Sequence, residues 1–325
     1  MTVFIIRRTL QAIIVLLVMS AIVFLGVFAI GDPVAILISP DATQADIQEA
    51  IENLGLDKPI WEQYLVFLGN ALEGNLGESF VYNEPAIRLI LQRMPATLEL
   101  AVVAVLLSVF VGIPLGMWAG LRPASVAGKS IMVGSIFGFS LPNFWQGIML
   151  ILIFAVILGW LPAFGRGDVA EFLGIQSSLW TLNGWAHIIL PATNLALFNT
   201  SLIIRLTRAS VREVIGLDYV KFARAKGLSR RRVVGVHVLK NIMIPLVTVI
   251  GLELASLIAF AVVTETVFAW PGMGKLIIDS IFVLDRPVIV AYMMIIVLMF
   301  IAINLIVDIL YSVFDPRVRL ADMKR

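Results

Sequence analysis

Apolar residues in this chain fall into long blocks separated by polar stretches. The blocks run roughly from Leu10 to Ile30, Thr97 to Leu121, Ser130 to Leu161, Ile188 to Leu206, Ile242 to Val263 and Val288 to Tyr311. Each is close to, or longer than, the roughly 20 residues an α-helix needs to cross the hydrocarbon core of a bilayer. The pattern predicts an all-α polytopic membrane protein with about six transmembrane helices. Composition agrees: of 325 residues, 60% are hydrophobic and 14% charged, with a mean hydropathy of +0.99, whereas about a quarter of a soluble domain is charged. A water-soluble globule is excluded, because it has no interior large enough to hide that apolar surface. The first block is longer than a signal-peptide core and lacks a small-x-small cleavage site, so it reads as a retained span. The chain then divides into a first span (1–30), an extracytoplasmic segment (31–95), a five-helix core (96–312) with an inner loop (207–240), and a tail (313–325).

Charge sets the expected orientation. With the N-terminus inside, the inner segments hold 18 of the 24 Lys and Arg, from Arg7 and Arg8 to Lys324 and Arg325. The outer segments keep Lys58, Arg88, Arg93, Arg166, Lys275 and Arg286. Basic residues near span ends are retained in the cytoplasm. The split predicts a multi-pass protein of the cell inner (cytoplasmic) membrane with both termini cytoplasmic.

The segment after the first span is too long for a plain turn and carries its own helical punctuation, which predicts a small structured periplasmic cap. Asp41 or Thr43 suits the cap of a short helix ending near Gly55. Pro59 suits the first turn before Ile60 to Glu73, and Pro85 the opening of an amphipathic stretch, Ala86 to Met94. Glu73 to Ser79 reads as a tight turn. Gly112, Gly116 and Gly120 at four-residue spacing, and Gly134 with Gly138, predict flat strips where another helix packs closely. Pro114 and Pro142 mark places where a span is free to bend. Trp160, Trp180 and Trp185 read as interfacial anchors.

The inner loop is the most informative stretch. Between Arg205 and Lys240 lie ten Lys or Arg against two acids, Glu213 and Asp218. Val211, Val214, Ile215, Val220 and Phe222 recur among good helix formers, Gly227 breaks the run, and Ser229 is placed to cap a second helix from Arg230. Helix, glycine turn and helix make an object that a partner can grip. Composition alone leaves three readings open here: such a grip, binding of nucleic acid or lipid headgroups, and plain positive-inside bias.

Catalytic chemistry is missing. Pro271 to Lys275 reads P-G-M-G-K, but no Gly lies five residues before Gly274 and no Ser or Thr follows Lys275, so there is no phosphate-binding loop. His187 and His237 are far apart and Cys is absent, which leaves no site for a soft metal. The chain is not expected to hydrolyse ATP on its own. Inside the spans, Glu253 is the carboxylate nearest a helix centre, while Glu99 and Asp308 lie nearer the ends, where water or Lys and Arg can reach them. Glu253 is compatible with a proton relay, a cavity-lining group or a protonated packing residue. Ser135, Ser140 and Asn143 join it as candidates for a translocation path. Glu265 with Pro271, Gly272 and Gly274 suits either a re-entrant turn at an outer gate or an ordinary surface turn.

Asp218 to Leu228 reads D-Y-V-K-F-A-R-A-K-G-L, followed by His237, Leu239, Asn241 and Pro245. This resembles the permease subunits of dipeptide, oligopeptide, glutathione and nickel ABC importers. So do Asn53 to Pro59, Gly74 to Ser79, Arg93 to Thr97, Ser140 to Phe144, Ile189 to Ala192, Arg205 to Ser210 and Thr264 to Gly274, in order along nearly the whole chain. The wider superfamily carries E-A-A, three residues, Gly, nine residues, then I-x-L-P. Here Lys221, Phe222 and Ala223 fill the first slot, Gly227 fits, His237 and Leu239 take the Ile and Leu positions, and Lys240 replaces the Pro. These departures are those of the peptide branch.

The resemblance implies coupling to ATPase subunits through Asp218, Ala223, Arg224, Ala225, Lys226, Gly227 and Leu228. It also implies a second related permease, two ATPase subunits holding ATP and Mg, and a periplasmic or extracellular solute-binding protein. The transported solute is then a peptide or a similar small molecule such as glutathione, an opine, an oligosaccharide or a nickel chelate. No cofactor on this chain and no nucleic-acid partner are implied. A self-sufficient channel or secondary carrier is the competing class; paired intramembrane charges or inverted repeats would favour it, and neither is clear in the sequence.

Overall fold

Helices carry most of the chain, and their limits follow from prolines, glycines and caps. The computed structural model describes residues 2–29, 43, 44, 48, 51 and 57–314. Among these, α1 is Thr2–Ala29, α2 Ile60–Leu72, α3 Ala86–Leu121, α4 Val126–Ser140 and α5 Asn143–Leu150, the last prolonged by a π-helical stretch, Ile151–Ile157. A short antiparallel hairpin follows, β1 Ala170–Phe172 with β2 Ile175–Ser177, and is a small exception to the all-helical expectation. Then come α6 Leu182–Val214, α7 Asp218–Ala225, α8 Arg230–Arg232, a π-helical passage Val233–Val238, α9 Leu239–Val267, α10 Met273–Phe282 and α11 Arg286–Phe314.

Among the described residues, five helices are long and apolar enough to cross a membrane: α1, α3, α6, α9 and α11. The block expected as one span over Ser130 to Leu161 is instead two helices, α4 and α5 with its extension, meeting at 108°; counted as one broken span they bring the total to six. The cause is local. A residue before proline is held away from helical angles, and Leu141, before Pro142, is extended at φ −82°, ψ 138°. Gln146 compensates, its Nε2 donating to the carbonyls of Leu141 (2.8 Å) and Gly138 (3.3 Å).

The stretch expected to open after Pro85, Ala86 to Met94, does start a helix at Ala86, but the helix does not end at Met94. It is continuous with the following span as a single 36-residue helix, roughly 54 Å long at 1.5 Å per residue. The helix runs on through Pro95, and Pro114 does not break it either. The short helix expected before Gly55 lies outside the described residues, as does the tail beyond residue 314.

The chain forms two compact units, residues 1–95 with 271–301 and residues 96–270 with 302–325. In the first, α2 begins at Pro59 as expected. It meets α1 through Tyr64, whose Oη lies 2.8 Å from Ser20 Oγ and whose ring is 5.4 Å from that of Phe24. The turn at Glu73 to Ser79 contains an Asn75 Oδ1 that accepts from Gly77 N at 3.0 Å. Beyond it, buried Asp285 accepts from Ser79 Oγ and from Phe80 N.

In the second unit, α3 and α6 run tightly against each other. A Cβ added at Gly112 would lie 2.8 Å from Ile203 Cγ2, at Gly116 2.6 Å from Thr207 Cβ, and at Gly120 2.7 Å from Val211 Cβ. Real side chains do not approach that closely, so the expected glycine strip is the seam that lets two backbones come together. One apolar core joins Leu100 and Ala104 of α3, Ile188, Leu195 and Ala196 of α6, Leu257 and Ala261 of α9, and Trp270. A second joins Val211, Val220, Ala223, Val233, Val238, Ile242 and Leu246, gathering the loop helix α7 against the ends of α6 and α9.

Candidate functional site

Polar side chains inside an apolar bundle are costly without partners, so where they gather marks a working region. At the start of α5, Asn143 Oδ1 accepts from Asn194 Nδ2 of α6 at 2.6 Å. Thr264 Oγ1 of α9 accepts from both amides, at 3.0 Å from Asn194 and 3.2 Å from Asn143. Three helices thus meet at the bend through one hydrogen-bonded cluster. One residue further on, fully buried Glu265 accepts from Thr97 Oγ1 of α3 at 2.7 Å.

Of the path candidates, the structure brings only Asn143 into this cluster. Ser135 is buried and donates to its own helix at Met132 O, Ser140 is exposed at the bend, and Glu253 is half-buried on α9. Glu253 lies three turns before Thr264, about 16 Å along the helix axis. Asn194 and Thr264 were missed, although two Asn in an apolar span, Asn194 and Asn199, were a readable signal. Glu99 is reached by an arginine rather than by water, one of the two alternatives its place near a span end left open, and it is buried. Arg166 grips it bidentately, with Nη2 2.6 Å from Oε1 and Nε 3.0 Å from Oε2, and Ser178 Oγ adds a third bond at 2.9 Å.

Of the gate candidates, Glu265 sits just before the end of α9, where its carbonyl accepts from Trp270 N at 2.8 Å. Trp270 also donates from Nε1 to Ala96 O at 2.8 Å. Pro271 is half-buried, and Gly272 and Gly274 are buried where α10 begins.

The inner-loop candidates lie together on and just after α7. Asp218, Arg224, Ala225, Lys226 and Gly227 are exposed, and Leu228 is half-buried. Ala223 is not available as a small outer surface, because it packs inward with Val220 against Val233 and Val238. Inward and outward residues alternate at helical spacing, so one face of this short helix is anchored and the other is free. The helix ends where Gly227 N donates to Arg224 O (2.9 Å) and Leu228 N to Ala223 O (3.3 Å), with Gly227 at φ +77°. That pair of bonds is a Schellman termination, which needs the left-handed conformation glycine adopts without penalty. Lys226 Nζ lies 4.6 Å from the centre of the exposed Phe222 ring. Among the described residues, no group of three or more His, Asp or Glu side chains is arranged to hold a metal ion.

Comparison with known proteins agrees with this arrangement. The family described as binding-protein-dependent transport system inner membrane component matches residues 112–320, and the N-terminal region of such membrane components matches residues 1–101. The di/tripeptide transport system permease protein DppB of Pseudomonas aeruginosa is 41% identical over 302 residues, 89% of this chain and 90% of that protein. The oligopeptide transport system permease protein AppB of Bacillus subtilis is 39% identical over 320 residues, 98% of this chain and 99% of that protein. Among solved structures, the inward-facing MetNI methionine ABC transporter shares the fold, with a TM-score of 0.53 and 16% identity over 70% of this chain and 96% of that one. The chain therefore belongs to the family of binding-protein-dependent transport system inner membrane components and is a membrane-spanning permease subunit of an ABC importer.

Proposed function

We propose that this subunit forms half of a translocation path for short peptides and that α7 is the handle by which partner ATPases drive it. The observation that carries the reading is the division of α7 into an anchored face, locked by Val220 and Ala223 into the ends of α6 and α9, and a solvated face bearing Asp218, Arg224 and Lys226. A push on such a helix reaches two spans at once, and alternating access needs a two-state element of that kind. The chain itself supplies no ATP site; ATP and Mg belong to two ATPase subunits on the cytoplasmic side. A second related permease completes the path and a solute-binding protein delivers the solute from outside, with both termini of this chain in the cytoplasm. Support for peptides comes from the transport named for the relatives. Glu253, Ser135, Ser140 and Asn143 are assigned to the path, and Glu265 with Pro271, Gly272 and Gly274 to the outer gate.

The test is reconstitution of the complete importer in proteoliposomes, with uptake of labelled di- and tripeptides measured against glutathione and a nickel chelate. ATP-dependent peptide uptake that requires the ATPase subunits is the expected result, and Glu253→Gln is expected to change its rate or its preference among peptides. Uptake by this chain without ATPases would identify a carrier instead. Selective uptake of one of the other solutes would replace the substrate.

A further inference from the structure

We propose that the end of α3 and the start of α8 form a binding site for an anionic glycerophospholipid. A cavity of about 630 Å³ opens there, lined by Trp118, Leu121 and Arg122 on one side and by Arg230, Arg231 and Val234 on the other. Three arginines line it, no acidic residue does, and none of the three is ion-paired with a carboxylate among the described residues. Arg122 lies 4.6 Å from the centre of the Trp118 indole, which holds its planar donors at the mouth. Guanidinium forks match phosphate oxygens, and basic pockets between spans at the membrane surface hold anionic headgroups.

The neighbouring helix face selects a lipid rather than a soluble anion. Val111, Leu115 and Trp118 are exposed on the same face of α3 as Arg122, within about 40° of it around the helix. From Val111 to Trp118 this stripe is about 10 Å long, within the roughly 15 Å that one leaflet contributes to a hydrocarbon core of about 30 Å. A free phosphate would use the arginines and leave this stripe without purpose. A two-chain lipid uses both, with Trp118 at the level where indole rings collect in membranes.

The test uses the complete importer in nanodiscs of equal dioleoylphosphatidylglycerol and dioleoylphosphatidylcholine, with retained lipids counted by native mass spectrometry. The parent is expected to retain phosphatidylglycerol preferentially. Each arginine near the surface contributes about fivefold in affinity, so the combined Arg122→Gln, Arg230→Gln and Arg231→Gln variant should lose at least about tenfold of that preference. Equal retention of both lipids by the parent, or an unchanged preference in the variant, overturns the proposal. Should the variant fail to assemble, p-benzoylphenylalanine at Val111 of the otherwise unaltered importer decides. A phospholipid adduct supports the site, whereas a crosslink to a protein neighbour assigns the stripe to a subunit interface and overturns it.

Discussion

The connection after α5, residues 158–181, is pinned by a charge pair taken out of water, whereas the connection after α6, residues 215–229, keeps its charges in water. Arg166 reaches Glu99 through two hydrogen bonds in a buried setting that Ser178 completes. Lys221 meets Asp218 at 3.0 Å, but the two side chains are 65% and 98% exposed, so that pair is solvated and holds little. The second connection is held instead by apolar burial on one face of α7. The difference separates two uses of charge. A buried bidentate pair fixes a loop in one place, while exposed charges on an anchored helix remain available to another protein. Removing one member of a buried pair leaves an uncompensated charge, and removing an exposed charge leaves only water where it was.

The comparison breaks most completely if the two connections lie on the same side of the membrane. Single cysteines replacing the exposed Asp168 and Ser229 are expected to react with a membrane-impermeant maleimide in an all-or-none fashion, Asp168→Cys in intact cells and Ser229→Cys only after permeabilisation. Labelling of both from outside rejects the orientation.

The next largest effect is expected at Arg166. Arg166→Ala strands Glu99 in a buried site and is expected to cost about 3 kcal/mol, the lower end of the range for half of a buried pair, read as a lower melting temperature of the purified subunit. Adding Glu99→Leu to the same chain is expected to recover most of the loss. A lone Arg166→Ala as stable as the parent would place this pair with the solvated ones.

Gly227→Val tests the other connection. A Cβ at Gly227 meets nothing within 4 Å, so the whole penalty comes from the backbone at φ +77°, about 1–2 kcal/mol for a residue with a side chain. Membrane insertion should survive, while binding-protein-stimulated ATP hydrolysis should fall severalfold or separate from uptake. A variant that couples like the parent would remove α7 from the drive. The smallest expected effect is that of Lys221→Ala on the melting temperature, which should not change measurably. A clear loss of stability there would show that the exposed pair holds the loop after all.

Much of the architecture was legible because lipid imposes a local rule. A spanning segment must satisfy its own backbone hydrogen bonds and present about 20 apolar residues to the bilayer, so hydropathy along the chain finds it. The third span carried the warning of its break at Pro142, whose effect on Leu141 is a matter of two adjacent residues. The end of α7 was equally local, since Gly227 closes it through bonds reaching back no further than Ala223. Ala223 was harder to place. Nothing in the sequence tells whether a small residue on a short amphipathic helix faces a partner or the protein's own core, and here Val233 and Val238, arriving from beyond the glycine turn, cover that side.

By itself, then, the sequence determined the apolar blocks long enough to span, the glycine stop of α7 and which importer branch its inner loop resembles. These depend on neighbours within a few turns or on motifs read in order. Only the tertiary structure decided that Gly112, Gly116 and Gly120 accept Ile203, Thr207 and Val211, that Arg166 neutralises Glu99, and that Asn143, Asn194 and Thr264 share one hydrogen-bonded cluster. The strip of small residues and the isolated polar side chains were visible as needs. What met each need was set by the close packing of helices distant in sequence, because an apolar bundle offers a buried polar group few partners besides those that packing brings within hydrogen-bond reach.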